Sequence, residues 1–107
     1  MLNAYLSCIE ACHACAVACR HCLASCLRDP KVEAIKRCIA LDLDCAETCA
    51  YAAAMMARDS QYAREICAQC AKVCEECGAE CAKHEAQHCQ ECAQACQACA
   101  QACLAIA

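Results

Sequence analysis

The stretch Cys12–Cys26, CHACAVACRHCLASC, sets five cysteines at alternating steps of three and four residues. That is the period of one face of an α-helix, so Cys12, Cys15, Cys19, Cys22 and Cys26 form a single stripe. At about 100° per residue the five fall within an arc of roughly 80°, on a helix about 21 Å long. The same C-x2-C-x3-C-x2-C-x3-C pattern returns at Cys67–Cys81 (CAQCAKVCEECGAEC) and at Cys89–Cys103 (CQECAQACQACAQAC). These copies contribute Cys67, Cys70, Cys74, Cys77 and Cys81, then Cys89, Cys92, Cys96, Cys99 and Cys103. Cys8 lengthens the first stripe by one turn.

Working outward, the first helix is predicted over residues 3–27, with His13 and His21 on the side away from the sulfur. Asp29 is a good N-cap and Pro30 a good first helical residue, so a second helix is expected over 30–57. It carries only Cys38, Cys45 and Cys49, in phase with Asp42, Ala52 and Met56 and flanked by Leu41 and Ile35. Arg58-Asp59-Ser60 reads as a break with Ser60 as the next N-cap. A third helix follows over 61–84, tolerating Gly78 at some cost. The eight-residue step from Cys81 to Cys89 rotates the stripe by roughly 80° and predicts a turn near His84–His88. The competing reading, one helix from Gln61 to the C-terminus, is disfavoured by its length. A fourth helix is expected over 87–106. Four helices with short connections predict an all-α, antiparallel up-down-up-down four-helix bundle with a cysteine-lined core, one domain over 1–107. Charges on the outward faces form an ordinary solvated surface.

The 107 residues include 19 cysteines, one Gly, one Pro, no Phe and no Trp, with a formal net charge of −4. An acidic chain without a basic run is not built to bind nucleic acid or anionic lipid. No apolar run is long enough to span a membrane, and MLNAYLSCIEACHAC shows no secretory signal, so a cytoplasmic location is expected. In a reducing compartment a cysteine-rich pattern points to metal rather than disulfides. The odd count and the parallel aim of stripe neighbours argue the same way. Buried Cys can act as a small hydrophobe, but Leu, Ile and Val fill a core better, so packing alone does not explain sulfur at every layer.

Soft thiolates select Cu(I), Zn(II) or iron–sulfur clusters. Zn(II) with four thiolates carries two negative charges, and about four such sites would leave about −8 in a core whose stripes hold no Lys or Arg. Monovalent Cu(I), taking two or three bridging thiolates, leaves the core close to neutral. Many Cu(I) ions held as thiolate sites or clusters therefore fit best, with metal loading expelling protons. The competing readings are a metallothionein-like Zn or Cd buffer, and, from another class, an iron–sulfur electron-transfer protein. No enzyme site is suggested.

At these residues the sequence resembles the bacterial four-helix-bundle copper storage proteins, in their cytosolic branch. The resemblance spans the stripes, the sparse segment CIALDLDCAETCAYAAAMMARDS, EICAQCAKVCEECGAECAKHE and the closing HCQECAQACQACAQAC. It implies storage of many Cu(I) ions on cysteine thiolates and a homotetramer; a copper chaperone is a candidate partner. It also implies a His or Met mouth where copper passes. By topology His84 and His88 share an end with Cys26, Cys81 and Cys89, and this end is expected to be the entrance. The opposite end collects Leu2, Tyr5, Leu6, Tyr62, Ile66, Met55, Met56, Leu104 and Ile106 as an expected hydrophobic plug. Asp42, a carboxylate on a sulfur stripe, is expected either to ligate an outlying Cu(I) or to hydrogen-bond thiols in the copper-free protein. His13 and His21 are expected at the surface and Met56 in the core.

Overall fold

The computed structural model describes residues 2–107, the side chain of Leu2 excepted, so the part of the plug assigned to Leu2 lies outside the described residues. Helix α1 covers Leu2–Leu27, α2 Lys36–Ala57, α3 Ala63–Cys81 and α4 Gln87–Ile106. Helix α1 packs on α2 and α4, and α3 packs on the same two, while the diagonal pairs stay apart. The result is a square antiparallel bundle measuring 46 × 17 × 17 Å. Its narrow waist follows from composition. Ala16, Ala46, Ala53, Ala63, Ala71, Ala93 and Ala100 are buried beside the cysteines, and side chains this small let the helices close in.

Helix α2 starts later than expected. Asp29 Oδ1 does accept the Lys31 N–H at 2.7 Å, and the Asp29 carbonyl accepts the Val32 N–H at 3.1 Å. Lys31 (φ −101°, ψ 37°) and Ile35 (φ −121°, ψ 20°) then leave the α region, so an α-ladder cannot run through them. Residues Val32–Ile35 wind as a 3₁₀ turn instead, which sets the half-buried Ile35 against the core edge. Pro30 is therefore part of the preceding turn and not the first residue of α2.

The end of α2 is a Schellman motif without glycine. The Ser60 N–H bonds the Met55 carbonyl at 3.0 Å and the Asp59 N–H bonds Met56 at 3.1 Å, with Asp59 at φ 52°. Ser60 does not cap α3 directly. Its hydroxyl accepts the Tyr62 N–H at 3.1 Å and its carbonyl accepts Ala63, making a turn before α3 begins.

Helix α3 ends at Cys81, three residues earlier than expected, and the break before α4 rules out one continuous helix. No Gly or Pro marks this turn; the Gln90 side chain does the work by donating to the Ala82 and His84 carbonyls at 3.1 and 2.6 Å. No described helix is long and apolar enough to cross a membrane.

Candidate metal centre

The four stripes converge. All nineteen cysteines are buried as free thiols, none more than 2% exposed. Their Sγ atoms approach one another at 3.3–4.0 Å, far beyond the ~2.05 Å of a disulfide. A metal–sulfur bond of about 2.3 Å requires sulfurs about 3.8 Å apart around a tetrahedral ion and about 4.0 Å around a trigonal one. The thiols therefore stand near ligand spacing before any ion is placed.

Sulfur groups run the length of the bundle. Cys12, Cys70, Cys99 and Cys103 form one, with Cys8 joined to Cys103 at 3.6 Å. Next come Cys15, Cys49, Cys74 and Cys99, a ring with one cysteine from each helix. Cys15, Cys19, Cys45 and Cys96 follow, then Cys19, Cys77, Cys92 and Cys96. Because Cys15, Cys19, Cys96 and Cys99 each belong to two of these groups, the groups form a chain linked by shared sulfurs, not separate cages. Cys22, Cys26, Cys38 and Cys89 make a further group at the far end. Cys67 lies close enough to Cys12 and Cys70 for their charges to raise its pKa, although burial is the larger cause.

Burial is the largest influence on the Cys89 and Cys26 thiols. It raises the Cys89 thiol and, with the neighbouring Cys89 sulfur, pushes Cys26 up to about 12. Asp42, fully buried, is pushed up to about 8 mainly by burial. Three thiols converge on its Oδ1: Cys77 and Cys81 at 3.4 Å and Cys92 at 3.3 Å, with Cys38 3.9 Å from Oδ2. These contacts are the thiol hydrogen bonds that the second expectation for Asp42 described.

The His end is less uniform than the sequence implied. His88, in the first turn of α4, brings Nδ1 to 3.5 Å from Cys89 Sγ and 4.0 Å from Cys26 Sγ. His84 instead places Nε2 3.0 Å from Glu80 Oε2. Both rings line an open depression of about 500 Å³ that reaches Cys89. His13 and His21 are exposed and Met56 is buried, as expected. At the other end Met55 and Met56 are buried and Tyr5, Ile66 and Ile106 are half-buried against the core. Leu6, Tyr62 and Leu104 are 42–56% exposed, so the plug is smaller than expected. Sequence reasoning missed Glu80, a buried carboxylate beside His84 in the last turn of α3. Its i,i+4 spacing to His84 was a usable signal, whereas its contact with Arg37 of α2 is tertiary.

The family model for copper storage proteins (Csp) matches residues 1–107. The chain belongs to that family. The fold agrees with solved members. Copper storage protein Csp3 from Bacillus subtilis superposes in its apo form with a TM-score of 0.89 at 48% identity, covering 95% of this chain and 97% of that one. The Cu(I)-bound copper storage protein BsCsp3 gives 0.94 at 47%, covering 97% and 98%. A cytosolic copper storage protein from Streptomyces lividans, holding five coppers, gives 0.94 at 41% identity, covering 98% and 92%. The uncharacterized cysteine-rich protein YhjQ of Bacillus subtilis (strain 168) is 48% identical over 65 residues, or 61% of this chain. That match spans 60% of YhjQ's length.

Proposed function

We propose that this chain is a cytosolic store that sequesters many Cu(I) ions on the cysteine thiolates of its bundle core, and that it acts without catalysis. The carrying observation is the chain of shared sulfur groups along the axis. Shared ligands suit a monovalent ion that takes two or three bridging thiolates and leaves a dry core near neutrality. All nineteen cysteines are assigned as ligands. Asp42 supplies an oxygen at the Cys77, Cys81 and Cys92 corner. Copper enters at the end held by His84 and His88, where Cys26 and Cys89 are the first sulfurs met, and moves inward by thiolate exchange. Relatives that carry copper over nearly the same length of chain support this reading. A homotetramer and a copper-chaperone donor complete it.

Anaerobic titration of the reduced protein with Cu(I) against a chromophoric competitor tests the proposal. Filling well beyond about eight equivalents per chain is expected; saturation at four or five ions would match four-thiolate Zn- or Cd-type sites and end the storage reading. Light scattering on the same sample is expected to give four chains per particle.

A further inference from the structure

Among the described residues only Asp42 and Glu80 are buried carboxylates, and Glu80 lies outside the sulfur chain at the mouth. It occupies the last turn of α3, one residue before Cys81, and is 8% exposed. Oε1 meets Arg37 Nε of α2 and Lys83 Nζ, each at 3.3 Å, while Oε2 meets His84 Nε2 at 3.0 Å. Burial pulls its pKa upward, but the hydrogen bonds from His84 and Lys83 outweigh this and hold it below the usual carboxylate range. With the Arg37 and Lys83 cations on one oxygen, Glu80 is held as a carboxylate and can only accept. Whichever charge state the imidazole takes, the nitrogen facing Glu80 carries the proton. In the neutral ring the lone pair then sits on Nδ1.

His88 shows the same choice of atom independently, with Nδ1 turned to Cys89 and Cys26. His84 shares the depression with His88 and Cys89.

We propose that Glu80 is a positioning residue for copper uptake, fixing His84 as the Nε2–H tautomer so that Nδ1 is the basic atom offered at the mouth. The inference rests on the storage reading and deepens it. A carboxylate behind a metal-binding imidazole sets its tautomer and orientation and strengthens it as a ligand. Arg37 and Lys83 pin the other carboxylate oxygen, so the anion is held in place from a second helix. A purely bracing ion pair would link α2 to α3 equally well but would be indifferent to which His84 nitrogen carries the proton.

The test begins without copper. Ring-nitrogen NMR of the reduced protein, with exposed His13 and His21 as internal references, is expected to show His84 wholly as Nε2–H when neutral. Glu80→Ala is expected to give a mixture of tautomers and to slow stopped-flow Cu(I) uptake by about ten-fold or more. Glu80→Gln, whose amide oxygen still accepts from Nε2–H, is expected to restore the tautomer and most of the rate. In a His84→Ala background, Glu80→Ala is expected to add no further slowing. A wild-type His84 protonated on Nδ1 overturns the inference even if Glu80→Ala does not fold. So does an unchanged tautomer in Glu80→Ala, or slowing that simply adds to that of His84→Ala. Failure of the storage reading looks different: the wild-type protein would saturate at a few ions while the copper-free tautomer stayed as stated.

Discussion

Asp42 is the one carboxylate set among the core thiols of the described residues. Without metal it is the shared acceptor for the thiols of Cys77, Cys81 and Cys92, and burial pushes it up to about 8. An unfolded Asp titrates near 3.9. Between about pH 4 and 8 the folded protein therefore holds a proton that the unfolded chain has lost, and stability falls as pH rises through that window. The slope from this one group is at most about 1.4 kcal/mol per pH unit. Urea unfolding of the reduced, copper-free protein should show a falling midpoint from pH 5 to 8, and Asp42→Asn should flatten it. A wild-type midpoint that held level would contradict the assignment. The oddness of Asp42 was legible in the sequence, because a carboxylate in phase with Cys38 and Cys45 has to find partners. Glu80 was legible only through its i,i+4 spacing to His84, because it lies off the stripe and its Arg37 partner comes from α2.

At the scale of elements, Gly78 shows how closely α3 and α4 approach. A Cβ built there would lie 3.1 Å from Cys96 Cβ and 3.5 Å from the Ala93 carbonyl oxygen. Alanine is better than glycine in a helix by about 1 kcal/mol, but overpacking costs about 1–3 kcal/mol. Cys96 Cβ moves only with its helix, so the steric cost wins. Gly78→Ala should destabilise the copper-free protein by about 1 kcal/mol in urea unfolding; a gain in stability would mean that α4 yields without penalty. The sequence could register Gly78 only as a helix weakness, since the close approach depends on the neighbouring helix. Elsewhere the stripes located the four helices to within a few residues, apart from the late start of α2. What they left open was the way the chain turns. The Pro30 signal opened a 3₁₀ turn, Asp59 adopted the left-handed conformation usually left to glycine, and Gln90 closed the α3–α4 turn through its side chain.

For the whole molecule, the governing quantity is the charge of a dry sulfur core. Burial raises Cys67 and Cys89 and takes Cys26 to about 12, so these thiols hold their protons at neutral pH. Each must lose that proton to bind metal. Exchanging one proton for one Cu(I) leaves the core as neutral as before and the chain near its formal net charge of −4. A divalent ion taking four thiolates would expel four protons and leave two negative charges at every site. The two cases differ in a quantity that can be counted: under a pH-stat, anaerobic filling with Cu(I) should release about one proton per copper. The same exchange fixes the sign of the pH dependence. Acid returns the competing protons, so Cu(I) affinity should fall from pH 7.5 to 5.5, by up to about tenfold per pH unit for each proton released. A level affinity across that range would mean the sulfur was already anionic before the metal arrived. A tube of buried thiols without a cation on its walls has no means of holding such charge, so that result would remove the physical reason for preferring a monovalent ion.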